Sequence, residues 1–175
     1  MKKAVVAILL ALFSISVSAQ QDPEFPKGEF IMHLNFHSGI VTGFNNAPEP
    51  FVGGIQLIPQ YTFVANLLRG GAIVDGFYTN KSLQGAIGPT LSIKLYTIKA
   101  QPFGSLGNIN LSFDHLWGTG SERLLGGGVN ADLGNLVVVG ISLQRDYHLD
   151  NWWIQSNFAL RISKIKKSKP IGSHN

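Results

Sequence analysis

The feature that most constrains this chain is a two-residue alternation of apolar and polar side chains, repeated along most of the sequence after residue 27. It is clearest where apolar Ile109, Leu111 and Phe113 alternate with Asn, Ser and Asp residues. Successive side chains of a β-strand point to opposite faces, so this pattern predicts strands with one apolar and one polar face. The 3.6-residue apolar period of amphipathic helices is not sustained anywhere in this region.

Eight strands are predicted, and short connections rich in Gly, Asn, Pro and Asp separate them. Their ranges are 28–41, 51–64, 71–79, 84–99, 106–117, 123–133, 136–146 and 151–164. The longest connection is Asn45–Pro50. Sequential strands joined by short turns are antiparallel neighbours, and eight of them can close into a barrel without free edges. The expected fold is therefore all-β, an eight-stranded antiparallel up-and-down barrel.

The N-terminus predicts a cleaved signal peptide. Lys2 and Lys3 precede an apolar run over 4–15, and Val17-Ser18-Ala19 supplies the small residues of a cleavage site. The run is shorter than the ~20 residues that a membrane-spanning helix needs. We expect a signal peptide at 1–19, a barrel domain at 20–165 and a basic tail at 166–175.

The charge distribution argues against a nucleic-acid partner. The net charge of +4 comes from lysines in the signal segment and the tail, whereas residues 20–163 hold 8 basic and 10 acidic residues. No basic face remains for a phosphate backbone. The chain also has no cysteine, which excludes disulfides, thiolate zinc sites and a thiol nucleophile.

The polarity of the two strand faces separates two kinds of barrel. The polar faces carry mainly Asn, Gln, Ser and Thr with few charges, as expected for a membrane barrel whose lumen is polar and whose outer wall meets lipid. We therefore expect Leu111, Phe113, Ile141 and Phe158 to face lipid. A soluble exported barrel that binds an apolar ligand is the alternative.

Aromatic residues fall near both ends of the predicted strands. Trp117, Tyr147 and Trp152 lie near the longer loops, and Phe63 lies towards the opposite turns. Phe44 and Phe103 extend these two groups. Two such groups are typical of the aromatic girdles of membrane barrels.

The predicted signal peptide, the number of strands, their alternation and the absence of cysteine together suggest a family resemblance. Over residues 27–165 the chain resembles the small eight-stranded outer-membrane β-barrels of Gram-negative bacteria. The resemblance implies a location in the cell outer membrane. It also implies outer-membrane lipid and the outer-membrane assembly machinery as partners. The implied role is structural or interaction-related and acts through the loops, whose partner the sequence does not identify. Family members commonly end in a strand with a terminal aromatic residue, whereas here the last strand continues into the Lys-rich tail.

Charged residues on the polar faces predict a network inside the barrel. Its members are Glu29, Lys94, Asp114, Asp132 and Arg161, with Asp75 as a further candidate. Side chains can fill an eight-stranded barrel, and an isolated buried charge is very costly. We therefore expect a plugged polar lumen in which Lys94 pairs with Asp114 and Glu29 with Arg161. A conduit for ions is the alternative.

Catalysis, cofactors and metals are not expected. His115 and Ser121-Glu122 flank one loop and give a weaker alternative, a lipid A-modifying hydrolase or acyltransferase of similar architecture. His33 and His37 share the polar face of the first strand, but even spacing places them about 13 Å apart, too far for one metal ion.

Overall fold

The computed structural model describes residues 26–43, 50–100, 104–133 and 136–162. They form eight strands: β1 (Phe30–Thr42), β2 (Phe51–Val64), β3 (Leu68–Thr79), β4 (Ser82–Ala100), β5 (Gly104–Gly118), β6 (Arg123–Leu133), β7 (Val137–Asp146) and β8 (Asn151–Arg161). The expected signal peptide, the basic tail, Phe44 and Phe103 lie outside the described residues. No helix among the described residues is long and apolar enough to cross a membrane.

The eight strands form one closed antiparallel barrel in chain order. β8 closes the barrel by pairing with β1, from His33 opposite Arg161 to Thr42 opposite Trp152. The prediction of an all-β, eight-stranded antiparallel barrel is confirmed. The largest difference at a strand start is in β3, which begins at Leu68 rather than at residue 71, because a three-residue turn with Asn66 at φ 57° already completes the reversal.

The strands are strongly staggered around the barrel. The stagger can be measured by stepping from each residue to its paired residue on the next strand. A full circuit that begins at Ile31 on β1 returns to β1 at Val41, ten residues further along the strand. The path runs Ile31, Gln60, Gly71, Thr90, Asp114, Gly126, Gln144, Trp153, Val41. A stagger of this size tilts the strands by about 40° from the barrel axis, as closed barrels require.

The two ends of the barrel differ. The loop end carries the connections β1–β2, β3–β4, β5–β6 and β7–β8, and the turn end carries the other connections together with the start of β1 and the end of β8. At the loop end, Asn80 and Lys81 both have positive φ, 47° and 62°, as in the two-residue turns that match strand twist.

The interior towards the loop end is apolar. A cluster of buried side chains, the loop-end core, fills it: Val41, Val52, Ile73, Phe77, Ala86, Leu116, Leu124 and Trp153. The rings of Phe77 and Trp153 meet edge to face with centroids 5.2 Å apart. The rest of the interior is mainly polar. This polar lumen contains most of the buried charges, whereas Glu122 and Asp146 are buried at the loop end.

Candidate functional site: the polar lumen

The polar lumen lies between the loop-end core and the turn end. It contains a cavity of about 90 Å³ lined mainly by hydroxyl, amide and carboxylate side chains. All eight strands contribute to this lining, because inward-facing residues alternate with outward-facing ones along each strand.

A cluster of charged side chains occupies the turn end of the lumen. Glu29, just before β1, accepts hydrogen bonds from two arginines: Arg161 Nη2 lies 2.6 Å from Oε1, and Arg69 Nη2 lies 3.4 Å from Oε2. Arg69 Nη1 also lies 3.9 Å from Asp132 Oδ2. This turn-end cluster connects the chain segment before β1 to β3, β6 and β8 across the lumen.

Arg69 is the member of this cluster that the sequence analysis missed. It is 3% exposed and lies on β3, before residue 71, where the alternation predicts that this strand begins. The inward side chains of β3 include Asp75, Phe77 and Thr79, which are all buried at odd positions. Extending this parity back to residue 69 would have placed the arginine in the lumen.

Two ion pairs were predicted in the lumen, Glu29 with Arg161 and Lys94 with Asp114, and the structure brings only the first pair into register. The structure brings Glu29 and Arg161 together, as described above. The β4–β5 ladder does not align the predicted pair of Lys94 and Asp114: Lys94 stands opposite Asn110, and Asp114 stands opposite Thr90. The offset of four residues places the two charges at different depths of the lumen.

A second polar network lies closer to the loop-end core. His37 Nε2 lies 3.0 Å from Asp75 Oδ1, and because an ionised carboxylate only accepts, the histidine donates. Gln56 Nε2 donates to Asp75 Oδ2 at 2.9 Å, and Asn35 Nδ2 donates to Gln56 Oε1 at 2.7 Å. The network fixes the orientation of four buried side chains on three adjacent strands. Histidine metal ligation is not supported, since no three His, Asp or Glu side chains of the described residues are grouped as a metal site.

The outer wall of the barrel is apolar on all sides. Every strand contributes exposed large hydrophobic side chains, for example Phe36, Leu57, Val74, Ile87, Phe113, Val129, Ile141 and Phe158. Leu111 shares this outward parity on β5. Among the described side chains, exposed Lys, Arg, Asp and Glu occur only at the barrel ends, at Lys27, Lys81, Arg145 and Asp150.

Aromatic side chains form two belts on this wall. The belt near the loop end contains Phe51, Tyr78, Trp117, Tyr147 and Trp152, and the belt near the turn end contains Phe30, Tyr61, Phe63 and Tyr96. Tyr61 and Phe51 are ten residues apart on β2, which corresponds to about 25 Å along the barrel axis when the strand is tilted by about 40°. At the loop end, Arg145 lies 5.3 Å from the ring centroid of Trp152 and pairs with Asp150.

The three residues of the catalytic alternative do not form a triad. His115 faces outward, where its Nε2 lies 3.0 Å from the Tyr147 hydroxyl and its ring lies 4.5 Å from that of Trp117. Glu122 is buried beneath the turn, close to Gly118 and Gly120. Ser121 is part of that turn, with φ 76°. No hydrogen bond joins His115 to Ser121 or Glu122 among the described contacts.

Comparisons with known proteins identify no family for this chain. No protein-family profile matches it, and no curated protein matches it. It is similar to a solved structure described as "De novo design of transmembrane beta-barrels", with 11% sequence identity and a TM-score of 0.48. The similarity covers 78% of this chain and 98% of the designed one.

Proposed function

We propose that this protein is an integral β-barrel of the bacterial outer membrane, with a structural or interaction role exerted through its loops and with a lumen that does not conduct. The observation that carries the proposal is the inverted polarity of the barrel. Its exposed wall is apolar on every strand, and its charged strand residues are inside or at the ends. In water such a wall would be a continuous exposed apolar surface that promotes aggregation. In a bilayer the same wall contacts the hydrocarbon of the lipids.

The dimensions of the wall support the membrane assignment. The aromatic belts are about 25 Å apart, which matches the ~25 Å apolar band of outer-membrane barrels. Polar groups on the wall are paired locally: the hydroxyls of Ser38 and Ser156 lie 3.3 Å apart, and Ser156 Oγ donates to the carbonyl of Ser38. Such pairing lowers the cost of placing hydroxyls against lipid.

The filling of the lumen supports a closed interior. The loop-end core blocks one end with Phe77, Leu116 and Trp153, which are at most 2% exposed. The turn-end cluster crosses the other end through Glu29 and Arg69. An ion would have to displace packed rings at one end and break ion pairs at the other.

The two alternatives fit the structure less well. A soluble barrel that carries an apolar ligand needs an apolar cavity, but this cavity is lined mainly by polar groups such as Asn35, Gln56 and Ser112. A hydrolase needs a nucleophile within reach of its base, and His115 bonds to Tyr147 instead.

Membrane fractionation combined with heat-modifiability tests the proposal. We expect the chain, expressed in a Gram-negative host, in the outer-membrane fraction, and expect unheated and boiled samples to migrate differently on a gel. Reconstituted into planar bilayers, it should give no stable conductance steps. Recovery in the soluble periplasmic fraction would reject the membrane assignment, and regular conductance steps would reject the closed lumen.

A further inference from the structure

Two arginines lie side by side on the outer wall at the loop end. Arg123 is on β6 and Arg145 is on β7, and both have outward parity because the residues that flank them in the chain are buried. Leu125 stands opposite Arg145 in the β6–β7 ladder, so Arg123, two residues before it, is the diagonal neighbour of Arg145. Diagonal neighbours are about 7–8 Å apart. The two guanidinium groups, here called the arginine patch, can therefore reach one ligand.

The charge of the arginine patch is only partly balanced. Arg145 pairs with Asp150, whose side chain is 79% exposed. Arg123 Nη1 donates to the carbonyl of Glu122 at 3.2 Å, and among the described residues no carboxylate lies within 4.0 Å of its guanidinium. The side chains of Glu122 and Asp146 are buried rather than exposed on the wall. The patch therefore presents two positive charges to the outside, with one exposed carboxylate beside them.

Aromatic side chains place the arginine patch at the depth of lipid headgroups. Trp117 stands opposite Arg123 in the β5–β6 ladder, and Trp152 stands opposite Arg145 in the β7–β8 ladder. Both tryptophans belong to the belt near the loop end, and such belts mark the membrane–water interface. The Arg145 guanidinium lies 5.3 Å from the centroid of the Trp152 ring, a contact that restricts its orientation without using its N–H groups. An anion bound here in a membrane would therefore be the headgroup of a lipid.

An apolar groove begins below the arginine patch and runs along β6 towards the turn end. The outward residues of β6 after Leu125 are Gly127, Val129 and Ala131. Each is smaller than the outward residues paired with it on β5 and β7, which are Ile109, Leu111, Phe113, Val139, Ile141 and Leu143. The row of small residues between two rows of large ones opens to the outside as a shallow depression around Val129 and Ala131. Since β5 and β7 are about 9–10 Å apart, the groove has room for one acyl chain.

We propose that the arginine patch and the groove together bind one acylated sugar phosphate of the lipid A type, with a phosphate on Arg123 and Arg145 and an acyl chain in the groove. This rests on the proposed function, because it needs the loop end to lie in the outer leaflet. Guanidinium groups bind phosphate through paired N–H···O hydrogen bonds. A phosphate monoester carries nearly two negative charges, so it matches two guanidinium groups better than a phosphodiester does. Because the ion pair of an exposed carboxylate is weak, the phosphate displaces Asp150 from Arg145.

Native mass spectrometry of the folded protein in an uncharged detergent tests the proposal. The protein is titrated with bisphosphorylated lipid A, with the same lipid without its phosphates, and with phosphatidylglycerol. We expect one lipid A molecule to bind, and we expect the apparent Kd to be about tenfold or more higher for the dephosphorylated lipid and for the phosphodiester. Inorganic phosphate at millimolar concentration should not displace the bound lipid A, because it has no acyl chain for the groove.

Variants of the arginine patch separate the phosphate contact from a general effect of charge. Arg123→Gln combined with Arg145→Gln should weaken the binding of lipid A about tenfold or more. Lys81→Gln removes an exposed cation of the loop end outside the patch and should bind like the wild type. Asp150→Asn should bind lipid A about twofold to fivefold more tightly, because it frees Arg145 from a competing carboxylate.

A matched pair of alanine variants tests the groove. Ala131→Phe fills the groove with an aromatic ring and should weaken the binding of lipid A about fivefold. Ala72→Phe makes the same change on the outward face of β3, on a different part of the wall, and should leave binding unchanged. Equal affinities of the two variants would overturn the placement of an acyl chain in the groove.

Three outcomes overturn the phosphate site: equal affinity for lipid A with and without its phosphates, equal affinity of the double arginine variant and the wild type, or displacement of lipid A by inorganic phosphate. Heat-modifiability checks that each variant is folded, and the comparison of lipids on the wild type needs no variant. A wild type that is heat-modifiable and fractionates with the outer membrane, but shows one of these outcomes, overturns the lipid site alone. Recovery in the soluble periplasmic fraction would overturn the proposed function as well.

Discussion

Arg161, the last residue of β8, donates a hydrogen bond of 2.6 Å to Glu29, which precedes β1 and lies 132 positions earlier in the chain. The bond joins the two ends of the barrel domain at the seam where the barrel closes. Glu29 also accepts from Arg69, so one carboxylate anchors two cations.

Glu29→Gln should destabilise the barrel strongly, since it leaves two buried guanidinium groups without their shared carboxylate. Removing one partner of a buried ion pair costs about 3–5 kcal/mol. Urea unfolding of the protein in detergent measures this loss. A double variant, Glu29→Gln with Arg161→Met, should be less destabilised than the single one. A single variant that unfolds like the wild type would show that the pair contributes nothing.

Arginine at the centre of the outer wall should be poorly tolerated. Ile141 is 68% exposed on β7, and Ile141→Arg or Leu111→Arg should cost about 2–4 kcal/mol in lipid, as outward sites near a bilayer midplane do. Refolding titrations into lipid vesicles give the value. Leu149→Arg, in the β7–β8 loop, is the control and should cost much less. Equal tolerance at all three positions would contradict the membrane assignment.

The loop-end core should be sensitive to truncation. Phe77 is completely buried and packs against Trp153, so Phe77→Ala should cost about 3–5 kcal/mol through lost burial and a new cavity. Leu83 is 80% exposed at the loop end, and Leu83→Ala should change stability by no more than about 0.5 kcal/mol. Chemical denaturation of both variants checks the difference. Similar values for the two would mean that the core is not packed as described.

Two glycines give a matched test of strand spacing. A Cβ added to Gly88 would clash with the carbonyl oxygen of His115, whereas one added to Gly76 meets no atom within 4 Å. Gly88→Ala must therefore separate β4 from β5 and should cost about 1–3 kcal/mol or more. Gly76→Ala should be close to neutral. Amide hydrogen exchange along β4 and β5 reports the separation, and unchanged protection in Gly88→Ala would contradict this pairing.

The orientation of the barrel can be read from epitopes at its two ends. An epitope inserted after Gly120, in the β5–β6 turn at the loop end, should be labelled on intact cells. An epitope inserted after Asn66, at the turn end, should be labelled only after the outer membrane is opened. The reverse pattern would invert the proposed orientation, and labelling of both would reject it.

The sequence was sufficient to predict the strands and their faces because both follow from alternation within a strand. Phe113 and Asp114 are neighbours, so whichever faces outward, the other faces inward. The predicted start of β3 at residue 71 is too late because Gly70 reads as the end of a turn, although it is paired within the sheet. That error removed Arg69 from the predicted lumen.

The partners inside the lumen were less predictable because alternation does not encode the stagger between strands. In the β4–β5 ladder a register shift occurs between Lys94 and Tyr96, and Lys94 stands opposite Asn110. Bulges and turn lengths set this offset. The position of Asp114 relative to cations therefore had to come from the structure.

Closure of the barrel has a consequence for how the chain folds. β8 meets β1 through a ladder as regular as that of any hairpin, yet this seam joins the most distant segments and carries the largest loop-closure entropy. A circularly permuted chain, cut between Asn80 and Lys81 and linked from Ile162 to Pro26, would turn the seam into a local hairpin. It should reach the same barrel by a different order of strand pairing.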